Sequence, residues 1–289
     1  MLIVKIHGGL GNQLFQYAFA KSLAYKNNTD FKLDIHFFDD QSLRSYNLCD
    51  FNIIENIAST TEISAFKQKK TTRFNFLKSK LFKPETHIVE EKNLEFNPLY
   101  FTPLTNAYLS GYWQSEKYFA DIKTQIKNEF TPKAPPSDTN CFLLNKIKSN
   151  NAISLHIRRG DFEKEETVNK IHGTCSLPYY ENAADLIANK LTDPIFYIFS
   201  DDINWARHNL KLNYKTHFVD INDEHSAFED IRLMYNCKHH IIANSTFSWW
   251  GAWLNTKPDK IVIAPIKWFN DTELNYQAKD IVPETWIRI

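Results

Sequence analysis

Short apolar segments alternate with amphipathic segments along most of this chain. Residues 2–6 are almost entirely apolar and predict a short buried strand. A glycine-rich turn follows, and Asn12 is placed to cap a helix that runs to about Lys26, with apolar residues at helical spacing. Residues 31–35 predict the next strand. This order of elements predicts a βαβ unit at the start of the chain.

The second half of the chain alternates more regularly. Strands are predicted at residues 152–157, 195–199, 217–219, 240–243 and 261–264. Helices are predicted between them, at about 179–191, 203–211, 225–237 and 246–255. Strands that alternate with helices of this length favour a parallel sheet. Since both halves begin in the same way, the predicted fold class is α/β, with two Rossmann-like, doubly wound domains.

A proline-rich segment separates the two halves. Residues 131–138 contain three prolines, which cannot continue a helix. We therefore predict an N-terminal domain over 1–135 and a C-terminal domain over 136–289. The elements predicted before this segment are a surface helix with a loop over 60–85, a strand within 107–113 and a helix from about 115 to 130.

Composition narrows the class of protein only slightly. The 289 residues are 43% hydrophobic and 24% charged, with a formal net charge of zero, so no basic face for nucleic acid is indicated. The four cysteines are widely spaced and form no CxxC pair, which favours free thiols over a zinc site. No segment resembles a signal peptide or a membrane span. We expect a cytoplasmic bacterial protein with at most peripheral contact to the inner membrane.

Candidate chemistry is densest directly after the strand predicted at 152–157. Arg158, Arg159 and Asp161 follow that strand, where ligands of doubly wound sheets bind. An arginine there can hold a phosphate through charge-assisted hydrogen bonds, whereas the plainer interpretation is an Arg–Asp surface ion pair. His156 faces the same way as Arg158 while the strand lasts, and Arg159 faces oppositely. One arginine can therefore meet a phosphate while the other holds the loop.

Two carboxylates end the next predicted strand. Asp201 and Asp202 are placed to accept hydrogen bonds from a guanine base or from ribose hydroxyls. The same Ser-Asp-Asp run is also typical of a helix N-cap. Both roles are compatible if one aspartate caps the helix and the other faces a ligand.

A hydroxyl-rich segment precedes the last predicted helix. Backbone N–H groups and hydroxyls at a helix start form an anion site, although an ordinary cap above buried tryptophans explains the same pattern. The residues concerned are Asn244, Ser245, Thr246, Phe247 and Ser248.

The N-terminal glycine turn is the third candidate region. Gly9 and Gly11 resemble a dinucleotide fingerprint only loosely, because Leu14 stands where a third glycine belongs. Close approach of a ligand to this backbone is still expected. The candidate cleft-lining residues are His7, Gly9, Gly11, Asn12 and Gln13.

Together these strings resemble the bacterial α-1,2-fucosyltransferases of glycosyltransferase family eleven. The matching segments are 8–17, 156–161, 199–202 and 244–251, and they occur in the family's order. The resemblance implies a GT-B fold, with two Rossmann-like domains facing a cleft. It implies an inverting, metal-independent transfer of fucose from GDP-fucose, without a separate cofactor, to the 2-hydroxyl of a terminal β-galactoside. The natural acceptor stays open among lactose, type 1 or type 2 disaccharides, and an O-antigen repeat unit of lipopolysaccharide.

The resemblance also implies roles for individual residues. The β-phosphate contact falls to Arg158, completed by the segment 245–247, and the guanosine contact falls to Asp201 or Asp202 with His156 nearby. The N-terminal turn faces the acceptor. A general base is expected near the acceptor hydroxyl, and Asp161, Glu163 and Glu166 are the candidates.

Two other functions remain open at this stage. The arginine-pair string also resembles α-1,6- and protein O-fucosyltransferases, although the glycine string favours the α-1,2 linkage. A non-catalytic nucleotide- or glycan-binding module is the second alternative.

Overall fold

The computed structural model describes residues 1–40, 44–67, 87–160 and 166–289, which form two compact units, Met1–Glu129 and Phe130–Ile289. The division falls a few residues before the predicted domain boundary at 135. Phe130 explains the difference, because its buried ring packs edge-on against Trp250 of the second unit at 5.1 Å between centroids.

The first unit is built on a parallel sheet, as the sequence predicts. Its strands are β1 (Leu2–Lys5), β2 (Phe31–Asp34), β3 (His87–Glu90) and β4 (Ala107–Ser110). Over the described residues the strand order is β2-β1-β4-β3, and every neighbouring pair runs parallel. Helix α1 (Leu10–Lys26) connects β1 to β2 and is buried along most of its length. Strand β3 was not predicted, since it lies in a stretch without clear periodicity.

The helices of the first unit differ in part from the prediction. The surface helix exists as α2 (Thr60–Lys67), and residues 68–86 of the predicted helix and loop lie outside the described residues. The single helix expected from Ser115 is wrong. Ser115 instead caps a 3-10 turn (Glu116–Tyr118), a second such turn (Ala120–Ile122) follows, and α3 covers Lys123–Glu129. Phe119, at φ −134°, interrupts the helical path.

The second unit carries the larger parallel sheet. Its strands are β5 (Asn151–Ile157), β6 (Pro194–Ser200), β7 (Lys215–Phe218), β8 (His239–Ile241), β9 (Val262–Ala264) and β10 (Ile287–Arg288). The order is β10-β9-β8-β5-β6-β7, and every pairing described is parallel. The strands predicted in this half are confirmed to within a few residues, and β10 was missed.

Helices of the second unit cover both faces of that sheet. They are α4 (Asp138–Ser149), α5 (Glu166–His172), α6 (Leu177–Ala188), α7 (Ile203–Asn209), α8 (Ala227–Asn236), α9 (Thr246–Leu254) and α10 (Thr272–Gln277). The tryptophans of α9 are buried, as the core interpretation predicts, and the indole N–H of Trp249 donates to the Ile281 carbonyl at 2.7 Å. This packing fixes the start of α9 against the sheet.

Strand order places one switch point in each unit. The chain leaves β5 toward β6 and β7 on one side, and returns through β8 to β10 on the other. The crevice between the carboxyl ends of β5 and β8 is therefore the expected ligand position in the second unit. By the same rule, β1 and β4 flank the corresponding crevice in the first unit.

Three further features bear on function. Within the described ranges, no helix combines the length and apolar character that crossing a membrane requires. Among the same residues, no group of three or more His, Cys, Asp or Glu side chains is arranged to hold a metal ion. Each of the four cysteines, all inside the described ranges, is a free thiol.

Candidate active site

Arg158 lies at the carboxyl end of β5 and is held by Asp201 from the end of β6. The Arg158 Nη1 atom is 2.9 Å from Asp201 Oδ2, and the backbone N–H of Arg159 donates to Asp201 Oδ1 at 2.9 Å. The two side chains are 19% and 23% exposed, so the pair borders solvent without being fully open to it. Asp201 is thus an ion-pair partner of Arg158. Asp161, proposed from the sequence, lies outside the described residues.

The other arginine and aspartate of this edge also have protein partners. The guanidinium of Arg159 stacks on the Trp205 ring, 3.6 Å from its centroid, and this contact holds the loop to α7. Asp202 caps α7, accepting from the Trp205 N–H at 3.0 Å. Neither aspartate of the Ser-Asp-Asp run is therefore without a protein partner, and Asp201 positions the arginine loop.

His156 is the buried member of the segment. It is 5% exposed, and burial, with Arg158 nearby as a second cause, lowers its pKa to about 3, so the ring stays neutral at physiological pH. Among the described residues its Nδ1 has no hydrogen-bond partner. The ring lies 5.7 Å from that of Phe247, which brings the end of β5 next to the start of α9.

The start of α9 presents backbone donors at this crevice. Ser245 occupies the N-cap position without a side-chain cap, and the first helical bond described runs from the Trp249 N–H to the Ser245 carbonyl at 3.0 Å. The amides of Thr246, Phe247 and Ser248 therefore precede the helical ladder, as in any helix start. Their N–H groups and the positive end of the helix dipole suit an anion.

Asn244 acts differently from its neighbours. Its amide nitrogen donates to the carbonyls of His172, Gly173 and Trp268 at 3.0–3.1 Å, and its Oδ1 accepts from the Cys175 thiol at 3.6 Å. The side chain joins loops of the second unit. Both ends of this amide thus have protein partners, and the predicted contact of Asn244 with a ligand stays a prediction.

The crevice of the first unit centres on His7. The Gln16 Oε1 accepts from the His7 backbone N–H, so the Gln16 amide nitrogen faces His7 Nδ1 at 2.9 Å. His7 therefore carries its proton on Nε2, and burial with Lys5 nearby lowers its pKa. This places a neutral imidazole donor beyond the end of β1.

The remaining residues predicted in this turn divide into supporting and open positions. Gln13 is fully buried and bonds Gly8, Ser45 and Asn47, so it anchors a loop. Asn12 accepts from the Gln114 amide at 2.9 Å, and Gly11 is buried inside α1. At Gly9 an added Cβ would meet no atom of the described residues within 4 Å. Gly9 is thus the position in this turn where a ligand can approach the backbone.

Tyr112 and Glu91 were missed by the sequence interpretation. The Tyr112 ring packs on His7 at 4.7 Å between centroids, and Glu91 accepts from the Tyr112 and Trp113 N–H groups. Burial raises the pKa of Glu91. Both residues follow strands at the carboxyl edge, and a correct prediction of β3 and β4 would have pointed to them.

Asp230 was also missed. It lies in the first turns of α8, and burial raises the pKa of its carboxyl to about 6, while the Asn222 amide donates to it at 2.7 Å. The same Asn222 amide also bonds Asn140, so Asp230 belongs to a hydrogen-bond network that joins α4 to α8.

The fold and this edge define a class of protein. Each unit is built on a parallel sheet covered by helices, and the second has an arginine and a helix start at its switch point. This combination is typical of Rossmann-type enzymes that bind phosphorylated ligands. The sequence pattern of glycosyl transferase family 11 matches residues 1–289, and the chain belongs to that family. It is therefore a glycosyltransferase.

Three similar glycosyltransferases differ in how much of this chain they match. An α-1,2-colitosyltransferase of Escherichia coli is 33% identical, with 100% of this chain and 99% of that protein covered. The O-antigen biosynthesis glycosyltransferase WbnK of Escherichia coli is 34% identical, covering 98% and 99%. The galactoside α-(1,2)-fucosyltransferase 1 of Mus musculus is 28% identical over a shorter region, 50% of this chain and 41% of that one.

A solved structure supports the fold. A mutant of Arabidopsis thaliana FUT1 in complex with GDP superimposes with a TM-score of 0.54 at 9% identity, covering 90% of this chain and 69% of that one. The predicted GT-B class is confirmed at the level of its Rossmann-like α/β units.

Proposed function

We propose that this glycosyltransferase transfers L-fucose from GDP-fucose to the 2-hydroxyl of a terminal β-galactoside, with inversion and without a metal. The observation that carries the proposal is Arg158, held by Asp201 beside the start of α9 at the β5/β8 switch point. A guanidinium and a row of helix-start amides form a site suited to the diphosphate of a nucleotide sugar.

The reaction builds up negative charge on the diphosphate that this site would hold. The bond from the sugar C1 to the β-phosphate oxygen breaks, and its electron pair stays on GDP. The acceptor O2 forms the new bond to C1 and loses its proton. Arg158 and the α9 amides are placed to stabilise the growing charge on the diphosphate. The Nδ1 of His156, which has no hydrogen-bond partner among the described residues, is a further candidate contact to the donor.

Three carboxylates after β5 are candidates for the base that takes the acceptor proton. Asp161 and Glu163 lie outside the described residues, and the backbone of Glu166 begins α5. Each is kept as a candidate on sequence grounds. The acceptor is assigned to the first-unit crevice, where the neutral His7 and the Tyr112 ring offer a donor and an apolar face to an uncharged sugar.

A second donor sugar has specific support. Colitose is the 3-deoxy form of fucose, and the colitosyltransferase relative matches this chain over its full length. GDP-colitose therefore competes with GDP-fucose as the natural donor. The relation to WbnK supports an acceptor of the O-antigen type.

One assay tests these assignments together. The protein is incubated with GDP-fucose or GDP-colitose and a panel of β-galactosides, with EDTA present, and the product linkage and anomeric configuration are determined by NMR. We expect an α-1,2-linked product, with a higher kcat/KM for one donor. Transfer only after Mn²⁺ is added would contradict the mechanism, and an α-1,6 product would overturn the linkage.

A further inference from the structure

A cavity of about 250 Å³ lies at the carboxyl edge of the second unit's sheet. Its walls come from the ends of three neighbouring strands: Asn244 follows β8, Pro265 follows β9 and Ile289 follows β10. A loop just after α5 closes the other side. All of these strands run parallel, so the cavity opens at the same edge that carries Arg158 and Asp201.

The cavity adjoins the proposed diphosphate site along the chain. Asn244 lines the cavity, and the next residue, Ser245, begins the helix-start segment. The Cys175 thiol of the opposite wall donates to Asn244 Oδ1 at 3.6 Å, so the wall after α5 is joined to the same strand end.

The lining combines apolar and polar side chains. Ile266 is 59% exposed, the Phe269 ring packs on His172 at 5.3 Å, and the Cys175 thiol stays un-ionised because burial raises its pKa to about 11. Lys267 and Asn270 supply polar groups at the mouth. The described lining contains no Asp or Glu side chain. Hydroxyls of a sugar suit the polar groups, and a 5-methyl group suits the apolar wall.

We propose that this cavity holds the 6-deoxyhexose ring of the donor, which rests on the proposed GDP-sugar activity. The sugar is bonded directly to the β-phosphate, so its ring must occupy space next to the diphosphate site. The cavity lies beyond β8, on the side away from β5, and its connection through Asn244 meets that requirement. Side chains at 266, 267 and 270 would then distinguish one deoxysugar from another.

Equilibrium binding separates the sugar from the nucleotide. The Kd values of GDP and of GDP-fucose are measured by calorimetry for the wild-type chain and for Ile266→Trp and Lys267→Met. Lys190→Met and Phe142→Trp are the matched controls, because both positions are exposed and lie away from the cavity lining. We expect the cavity variants to raise the Kd of GDP-fucose by roughly tenfold. The Kd of GDP should stay within about twofold of wild type.

Other outcomes overturn the proposal. Equal losses for GDP and GDP-fucose would assign the cavity to the nucleotide. Unchanged donor binding with a raised acceptor KM would assign it to the acceptor, and no change in any of these constants would leave it without a ligand role. Because binding is measured without transfer, a wild-type chain that binds GDP-fucose but transfers no sugar would defeat the proposed function alone.

Discussion

The two switch-point crevices share a topology and differ in chemistry. In the second unit, a guanidinium held by a carboxylate lies beside a helix start. In the first unit, the equivalent edge carries a neutral imidazole, a tyrosine ring and amide groups. The parallel sheet therefore sets the position of each crevice, whereas the side chains at the strand ends determine whether a charged or an uncharged ligand is favoured.

The largest effect is expected from removing the guanidinium. Arg158→Ala should lower kcat by about 10²–10³, as for loss of a strong oxyanion donor. Arg207→Ala is the matched control, because it breaks an Arg–Asp pair elsewhere in the second unit, with Asp220. Turnover is measured at saturating donor. Near-wild-type turnover by Arg158→Ala would show that the second-unit crevice does not act through a cationic group, in contradiction to the difference drawn between the two crevices.

The two histidines differ in their expected effect on stability. Folded His156 stays neutral down to its pKa of about 3, whereas an unfolded histidine gains a proton near 6.5, so the free energy of unfolding falls as pH drops between these values. Because of His156, the free energy of unfolding should be about 2 kcal/mol lower at pH 5 than at pH 7. Urea unfolding of wild type and His156→Gln at both pH values measures it.

His7→Gln serves as the comparison for that measurement. The pKa of His7 is lowered in the same direction, but the ring is less buried, so its pH-dependent contribution should be smaller. An equal pH-dependent contribution to the free energy of unfolding from both histidines would show that the His156 ring is no more strongly desolvated than the His7 ring.

The support of Arg158 can be tested separately from its charge. Asp201→Asn keeps the shape of the side chain but removes the charge-assisted contact, and about tenfold in kcat/KM should be lost. Gly160→Ala should act similarly, because an added Cβ would overlap the Asp201 carboxylate. Steady-state kinetics with the Kd of GDP measured in parallel checks both. A normal rate in both variants would show that Arg158 needs no such positioning.

The glycine turn of the first unit offers a matched pair. Gly8 has φ +78°, and an added Cβ would lie 2.8 Å from the Asn12 amide nitrogen, so Gly8→Ala should destabilise the fold by about 1–2 kcal/mol. Gly9→Ala meets no atom and should unfold like wild type. Thermal unfolding separates them. A raised acceptor KM in a stable Gly9→Ala protein would support ligand approach at this backbone.

The smallest effect is expected at the aromatic wall of the first unit. Tyr112→Leu should raise the acceptor KM by about fivefold, the equivalent of about 1 kcal/mol of ring contact. The Kd of GDP should not change. A weaker GDP affinity without any acceptor effect would reverse the assignment of the two crevices.

Strong local patterns made much of the fold predictable. The strands from 151 to 264 were predicted because apolar runs alternate there with helices of ordinary length. Strand β3 and the broken helix after Ser115 were not, since neither has a periodic signal and Phe119 interrupts the helix by its backbone conformation. Local sequence also missed α4, which begins at Asp138 directly after the prolines.

The sequence predicted where the candidate site lies in the fold, but not which of its side chains contact one another. The sequence placed Arg158, Asp201 and Ser245 at strand ends, and the sheet brings those ends to one edge. It left open which arginine stacks on Trp205 and which aspartate caps α7, because these choices depend on contacts between distant segments. For the same reason the supporting role of the Asn244 side chain had no local signal.

The amide of Asn244 has a consequence for how such enzymes diversify. By binding three carbonyls it fixes the backbone on two sides of the cavity, while the side chains at 266, 267 and 270 stay at the surface. Substitutions at those surface positions can accumulate without disturbing the main chain. Under the proposed sugar assignment, a lineage changes its donor by a few replacements on an inherited backbone, and divergent donor preferences among close homologues are an expected product of evolution.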